Sequence, residues 1–244
     1  MSFPQTIMGK WGWEQVTTTA KKHKLGTRMQ IADTEYIYAS TGEAVIAGQL
    51  MEAPALLATD DDDLTVATTG SAGGTTVGIT FGASVTKDEY ADGILFSNVD
   101  ASTALGWRYR IKGHPAGTSD VTVTIDHEDG FITEILAGTA KAGAFKSFYE
   151  GVLQSNTTPV GPAIGVTVSD IASGSYGWLQ VKGPGVCLIQ GTPAPGAGLM
   201  RSDATEGAME DFTEGSATLW GCLGQMGKTT AVNGEYHSIF LNIV

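Results

Sequence analysis

Cys222-Leu-Gly-Gln-Met-Gly-Lys-Thr229 ends in the Gly-Lys-Thr of a phosphate-binding loop, where glycine amides cradle phosphates and the lysine neutralises them. That loop needs glycine at its first position and a helix after it. Here Cys222 takes the first position, and the residues after Thr229 read as a turn and a strand. Asp60, Asp61, Asp62 and Asp63 repel one another, and a hard cation would relieve the repulsion. A calcium loop, however, spaces its ligands at alternating positions and closes on a glutamate, so a solvated acidic turn is expected instead. His23, His114, His127 and His237 show no zinc spacing, and neither Cys187 nor Cys222 has a CxxC partner. Both cysteines sit in apolar segments and read as small buried hydrophobes. His127-Glu128-Asp129-Gly130 combines acid and base residue types, but it follows an alternating strand and ends in the Asp-Gly of a turn. Ser173-Gly-Ser-Tyr-Gly177 lacks the leading glycine of a nucleophile elbow. Asn156-Thr157-Thr158 matches a glycosylation acceptor, a match that matters only in a secreted chain. The spacings predict no catalytic residue, no metal and no cofactor, hence a protein that is not an enzyme.

The segments that carry these residues are β in pattern. Tyr36–Tyr38, Ala44–Ala47, Leu64–Val66 and Thr75–Phe81 are short, rich in β-branched and aromatic residues, and bounded by Gly, Asp or Ser. Trp107-Arg-Tyr-Arg-Ile111 alternates, placing Trp107, Tyr109 and Ile111 on one face and Arg108 and Arg110 on the other. Val121–Ile125 alternates with threonines outward, the pattern of a sheet with one packed and one wet face. Further strands are expected at Ile164–Val168, Trp178–Val181, Val186–Ile189, Ala217–Trp220 and Tyr236–Val244, with Gly183-Pro184-Gly185 as turn material between two of them. Phe145, Phe148, Tyr149, Val152 and Leu153 fall at helical spacing, which predicts one short helix near 143–154. The whole reads as mainly β, an antiparallel barrel or sandwich with that helix and an extended N-terminal arm over residues 1–28.

Charge divides the chain unevenly. The 244 residues hold 14 Lys+Arg against 26 Asp+Glu, a net −12, which opposes binding along nucleic acid. Residues 1–28 nevertheless carry Lys10, Lys21, Lys22, Lys24 and Arg28 against Glu14 alone, a local +4 that leaves −16 on the rest. Phe3, Trp11 and Trp13 lie in the same segment. A basic, aromatic arm on an acidic body suits docking to an acidic protein surface. No run approaches the roughly 18 apolar residues of a membrane span. The opening residues also lack a secretory leader's apolar stretch, so synthesis in a cytoplasm is expected.

Two segments carry a resemblance. Gly26-Thr-Arg-Met-Gln-Ile-Ala-Asp-Thr-Glu-Tyr-Ile-Tyr-Ala-Ser-Thr-Gly-Glu-Ala-Val-Ile-Ala-Gly48 opens a strand through an Ala-Gly turn. Ile164-Gly-Val-Thr-Val-Ser-Asp-Ile-Ala-Ser-Gly-Ser-Tyr-Gly-Trp-Leu-Gln-Val-Lys-Gly-Pro184 follows with the Gly-Trp-x-Gln-Val…Gly-Pro pattern. With the close at Gly221–Gly224 and Ser238–Val244, they resemble the capsid cement, or decoration, proteins of tailed bacteriophages. Glu89–Gly93 through Tyr109–His114 is similar to phage head proteins of unknown role. The resemblance implies a virion structural protein on the capsid exterior, with the major capsid protein and sister copies, as a trimer, for partners. It implies a cement-type β domain from 29–52 with 161–244, an inserted β-rich domain at 53–160, and capsid or sister-subunit contacts at Phe3, Trp11, Trp13, Lys21, Lys22, Lys24 and Arg28. The departures from the family pattern are the insertion and the tryptophan-bearing basic N-terminus. The alternative is a virion-associated glycan- or receptor-binding module using Trp107 and Tyr109, with Arg108 and Arg110 beside them.

Overall fold

The computed structural model describes residues 6–55, 62–99, 104–212 and 221–243. The chain enters with β1 (Thr6–Met8), β2 (Arg28–Ile31), β3 (Thr34–Ser40) and β4 (Leu50–Glu52). It then forms β5 (Leu64–Thr68), β6 (Thr76–Thr80), β7 (Ile94–Val99), β8 (Arg108–Gly113), β9 (Asp120–Ile125) and β10 (Lys141–Phe145). It returns with β11 (Leu153–Gln154), β12 (Ala163–Thr167), β13 (Tyr176–Ile189), β14 (Gly198–Arg201), β15 (Met209–Asp211), β16 (Gly224–Met226) and β17 (Glu235–Asn242). Contacts divide it into two compact units, Met1–Ala55 with Phe148–Val244, and Leu56–Ser147.

The unit formed by Leu56–Ser147 is a closed antiparallel barrel in the order β10-β5-β6-β9-β8-β7. Alternation dictates its core. Tyr109 and Ile111 on β8 and Val121, Val123 and Ile125 on β9 point inward with Leu64, Val66, Val77, Ile79 and Leu95, while the residues between them face out.

The other unit is organised by β13, fourteen residues long. Its first half pairs with β3 on one side and β12 on the other; its second half pairs with β17 over Lys182–Ile189 and touches β15 at Ile189. Strands β13, β15, β14, β16 and β17 thereby close a small ring, while β1-β2-β3-β13-β12-β4-β11 remains an open sheet. The strand passes from sheet to ring at Gly183, whose φ of +91° and approach to the Asp33 carbonyl leave no place for a Cβ, which would lie 2.5 Å from that oxygen. Side chains of the open sheet separate cleanly. Ile37, Ala39, Leu179 and Val181 bury against Met51, Ala53, Val152 and Ile171; Tyr36, Tyr38 and Trp178 bury on the opposite face with Met29 and Ile31.

Several expectations are corrected. Residues 143–154 form no helix: Phe145 ends β10, Phe148–Gly151 turn, and Leu153 opens β11. The helical spacing is a coincidence at the junction of two units. Phe148 and Tyr149 pack on the cores of the sheet-and-ring unit, and the Tyr149 carbonyl accepts the Ser40 amide at 2.9 Å. For the same reason the barrel unit ends at Ser147, earlier than the expected 160. The only helical element among the described residues is a 3-10 turn at Trp13–Gln15. Gly183-Pro184-Gly185 is a corner inside one continuous strand, not a turn between two. Ala44–Ala47 makes a single bridge, Val45 to Ile171, and the expected strand at Ala217–Trp220 lies outside the described residues.

Candidate interaction surface

The N-terminal segment lies along the sheet-and-ring unit. β1 runs parallel to β2, with Ile7 beside Met29, and parallel neighbours require a crossover between them. Residues 9–27 are that crossover, and they cover the sheet face built by Tyr36, Tyr38 and Trp178. Gly9 admits the close approach, since a Cβ there would sit 2.6 Å from the Met29 sulfur. Thr18 and Tyr176 exchange two backbone hydrogen bonds of 2.9 and 2.8 Å. The Tyr38 hydroxyl accepts the Lys22 amide at 3.0 Å, and the His23 ring stands edge-on to Tyr38 at 5.1 Å and tilted to Trp178 at 5.4 Å. Burial in that cluster pushes the His23 pKa below its ordinary value.

On this support two tryptophans turn outward: Trp11 is 68% and Trp13 46% exposed. Met8 and Val16 are exposed beside them in sequence. Lys21 and Lys22 are exposed and Lys24 is half-buried. Arg28 sits on β2 and pairs with Glu35 across the hairpin at 3.3 Å, so part of the expected basic cluster is neutralised within the sheet. Phe3 lies outside the described residues.

The crossover covers only part of its sheet face. Beyond Gln180 the same side of β13 carries Pro184 and Val186, paired in register with Phe240 and Ser238 of β17; Val186, Tyr236 and Phe240 are exposed. Where covered and uncovered parts meet, a groove of about 430 Å³ opens between Glu14–Gln15 of the 3-10 turn and Tyr36, Val168, Gln180, Val186 and Tyr236. A smaller hollow of about 250 Å³ lies at Ile7, Trp13, Val16, His23, Met29 and Trp178.

The other candidates resolve into structural roles. His114 is buried, with Nε2 accepting the Tyr90 amide at 3.0 Å and Nδ1 2.8 Å from the Pro115 carbonyl oxygen. His237 Nε2 accepts the Val232 amide at 2.8 Å, and His127 stands edge-on to Tyr109. The Ser173 hydroxyl donates to the Gly42 carbonyl at 2.9 Å. Cys187 is buried and its thiol pKa is pushed up to about 12 by that burial, whereas Cys222 is exposed. Asp62 and Asp63 accept from Asn98 at 2.9 and 2.7 Å; Asp60 and Asp61 lie outside the described residues. Among the described residues no group of three or more His, Cys, Asp and Glu could hold a metal ion. Trp107 is partly exposed and stacked at 6.5 Å on Tyr109, but Tyr109 is buried beneath Phe131, so this aromatic pair offers one ring face. Arg110 points toward Asp92 at 3.6 Å.

One charged pair had no signal in the sequence. Glu52 and Arg201, 1% and 3% exposed, meet at 2.9 Å inside the sheet-and-ring unit. Arg201 also donates to the Gly161 carbonyl at 3.0 Å. Burial raises the Glu52 pKa against the opposing pull of Arg201, and burial lowers that of Arg201 against the pull of Glu52.

No family model, no curated protein and no solved structure matches the chain.

Proposed function

We propose that the chain is a non-enzymatic structural protein of a virion that binds the outer surface of a tailed-phage capsid and stabilises it as a cement or decoration protein. The observation that carries this reading is the pair of outward tryptophans, Trp11 and Trp13, on a segment fixed to its own unit by strand pairing and the Thr18–Tyr176 bridge. Large aromatic side chains dominate interface energetics when they insert into a partner's pocket, and a rigid support lowers the ordering cost of inserting them. The resemblance of Gly26–Gly48 and Ile164–Pro184 to cement proteins supplies the partner class, the major capsid protein and sister copies. Many identical copies on one shell make modest contacts per copy sufficient.

The test is the copy number of this protein on purified particles, by quantitative mass analysis, for wild type and for Trp11→Ala with Trp13→Ala. Hundreds of copies on wild-type particles, lost in the double variant while its circular dichroism is unchanged, is the expected result. A handful of copies, or none, sinks the decoration reading. Deleting residues 1–28 is the poorer experiment, because it also strips the cover from Tyr36, Tyr38 and Trp178.

A further inference from the structure

We propose that the groove beside Glu14 receives the lysine or arginine side chain of an extended segment of a partner protein. This goes beyond the decoration reading and does not depend on it.

Among the described residues Glu14 is the only charged side chain lining the groove, and it is 8% exposed. One carboxylate oxygen accepts the Gly12 amide at 2.8 Å, and among the described residues Glu14 forms no ion pair. The residue is mostly covered while its carboxylate, with one amide donor, lines the groove, and a cation entering there would meet an uncompensated negative charge in partly shielded surroundings. The rest of the lining offers acceptors and rings. The Gln180 side-chain nitrogen donates to two backbone carbonyls, of Lys182 at 3.3 Å and Pro184 at 2.7 Å, and among the described residues no donor reaches its oxygen. The Thr167 hydroxyl is already committed to the Ile46 carbonyl at 2.6 Å. Tyr36 and Tyr236 also line the groove, and aromatic rings attract ammonium and guanidinium groups. Ala47, Val168 and Val186 supply apolar wall for the methylene stem that lysine and arginine carry. A carboxylate, two aromatic rings and an apolar wall form a receptor for an alkyl cation.

The rim decides between a small amine and a protein. Val186 and Tyr236 are exposed at the mouth, and Phe240 extends the apolar surface along β17. A free amine would leave this rim in water; residues flanking a basic side chain in an extended segment would cover it. The volume of about 430 Å³ accommodates a long side chain together with the backbone carrying it.

The probes are acetylated, amidated pentapeptides, Leu-Ser-Xaa-Ser-Leu, with arginine, lysine, norleucine or glutamate at the centre, titrated against the full chain by calorimetry and amide chemical shifts. The expected result is that the arginine and lysine peptides bind about tenfold or more tightly than the other two, with shifts at Glu14 and Tyr236. Glu14→Gln, which keeps an acceptor for the Gly12 amide, should erase that preference; Tyr236→Ser, at an exposed position, should weaken it with no change in the fold. Three results would overturn the proposal. They are binding by no peptide or by all four alike, acetyl-arginine amide binding as tightly as the peptide, and self-association of the chain that Glu14→Gln abolishes, which would seat a second copy in the groove.

Discussion

The barrel unit and the sheet-and-ring unit solve the same burial problem with different leftovers. In Leu56–Ser147 six antiparallel strands close on themselves, and among the described residues the buried hydrophobic side chains form one cluster and no barrel strand is left with an open edge. In the other unit β13 serves an open sheet and a ring at once, which yields three separate core clusters and a sheet face only partly covered by residues 9–27. The barrel is complete as a fold. Among the described residues the barrel unit exposes Val99, Leu105, Trp107 and Ile132, but in the larger unit Val186, Tyr236 and Phe240 are exposed on two directly paired strands, and such contiguous patches mark interaction sites. Binding is therefore expected from the unit with the unfinished face.

The units also differ in how they hold charge, and the largest predicted effect follows from that. Arg201→Met strands Glu52 in the interior and should destabilise the sheet-and-ring unit by about 3–5 kcal/mol. In the barrel, Lys146 and Glu89 pair at 2.8 Å with both side chains partly in water, and Lys146→Met should cost about 1 kcal/mol or less. Hydrogen exchange read separately at the amides of β3 and β9 measures both; equal losses would break the contrast. Gly183→Ala comes next. Its positive φ and the Asp33 carbonyl together should cost about 2–3 kcal/mol, against about 1 kcal/mol for Gly106→Ala in the barrel, where φ is +75° but nothing lies within 4 Å. Thermal midpoints of the two variants give the ordering.

A tryptophan in each unit sharpens the comparison on the functional side. On the proposed decoration role, Trp11→Ala should weaken attachment to particles by about 2 kcal/mol, and unfolding should be unchanged because the ring is mostly in solvent. Trp107→Ala, which removes the barrel's exposed ring from Tyr109, should leave attachment at wild-type level. Loss of attachment in the second variant would move the binding surface to the barrel and favour a receptor-binding role.

Strand alternation was legible wherever one face is wet: Trp107–Ile111 and Val121–Ile125 fall on β8 and β9 with the expected sides buried. It failed where the chain changes unit or sheet. Phe148, Tyr149 and Val152 pack into cores of the sheet-and-ring unit, whereas Phe145 ends β10 of the barrel and packs against Phe96, so a spacing drawn from two units imitates a helix that neither contains. Gly183-Pro184-Gly185 carries turn residues because β13 must bend there, and composition alone does not distinguish a corner from a reversal. Within the candidate surface, Trp11 and Trp13 were visible as aromatics out of place in a polar segment. Glu14, between them and the groove, was not, because its partners Tyr36, Gln180 and Tyr236 come from three distant strands. Glu52 and Arg201 are hidden for the same reason, joined only when β4 and β14 are brought into one unit.

The smallest effect, in pH, has opposite signs in the two units. Burial raises the Glu52 pKa above the ordinary glutamate value, so the folded chain binds more protons than the unfolded chain between those two values. Its contribution therefore becomes less favourable as pH rises through that window. Glu89 is also subject to burial, which raises its pKa, but hydrogen bonds from Lys146 and Thr86 outweigh it and the pKa falls below the ordinary value. Its contribution is full above the ordinary value and is lost as pH falls through the lowered one. Other carboxylates titrate in the same range, so the measurement is the stability difference between wild type and Glu52→Gln, and between wild type and Glu89→Gln, from about pH 3 to about pH 7. The first difference should decline with rising pH and the second should increase. Slopes of the same sign would mean that the buried pair and the barrel's half-exposed pair are held by the same balance of burial and bonding, and the contrast between the units would not extend to their charges.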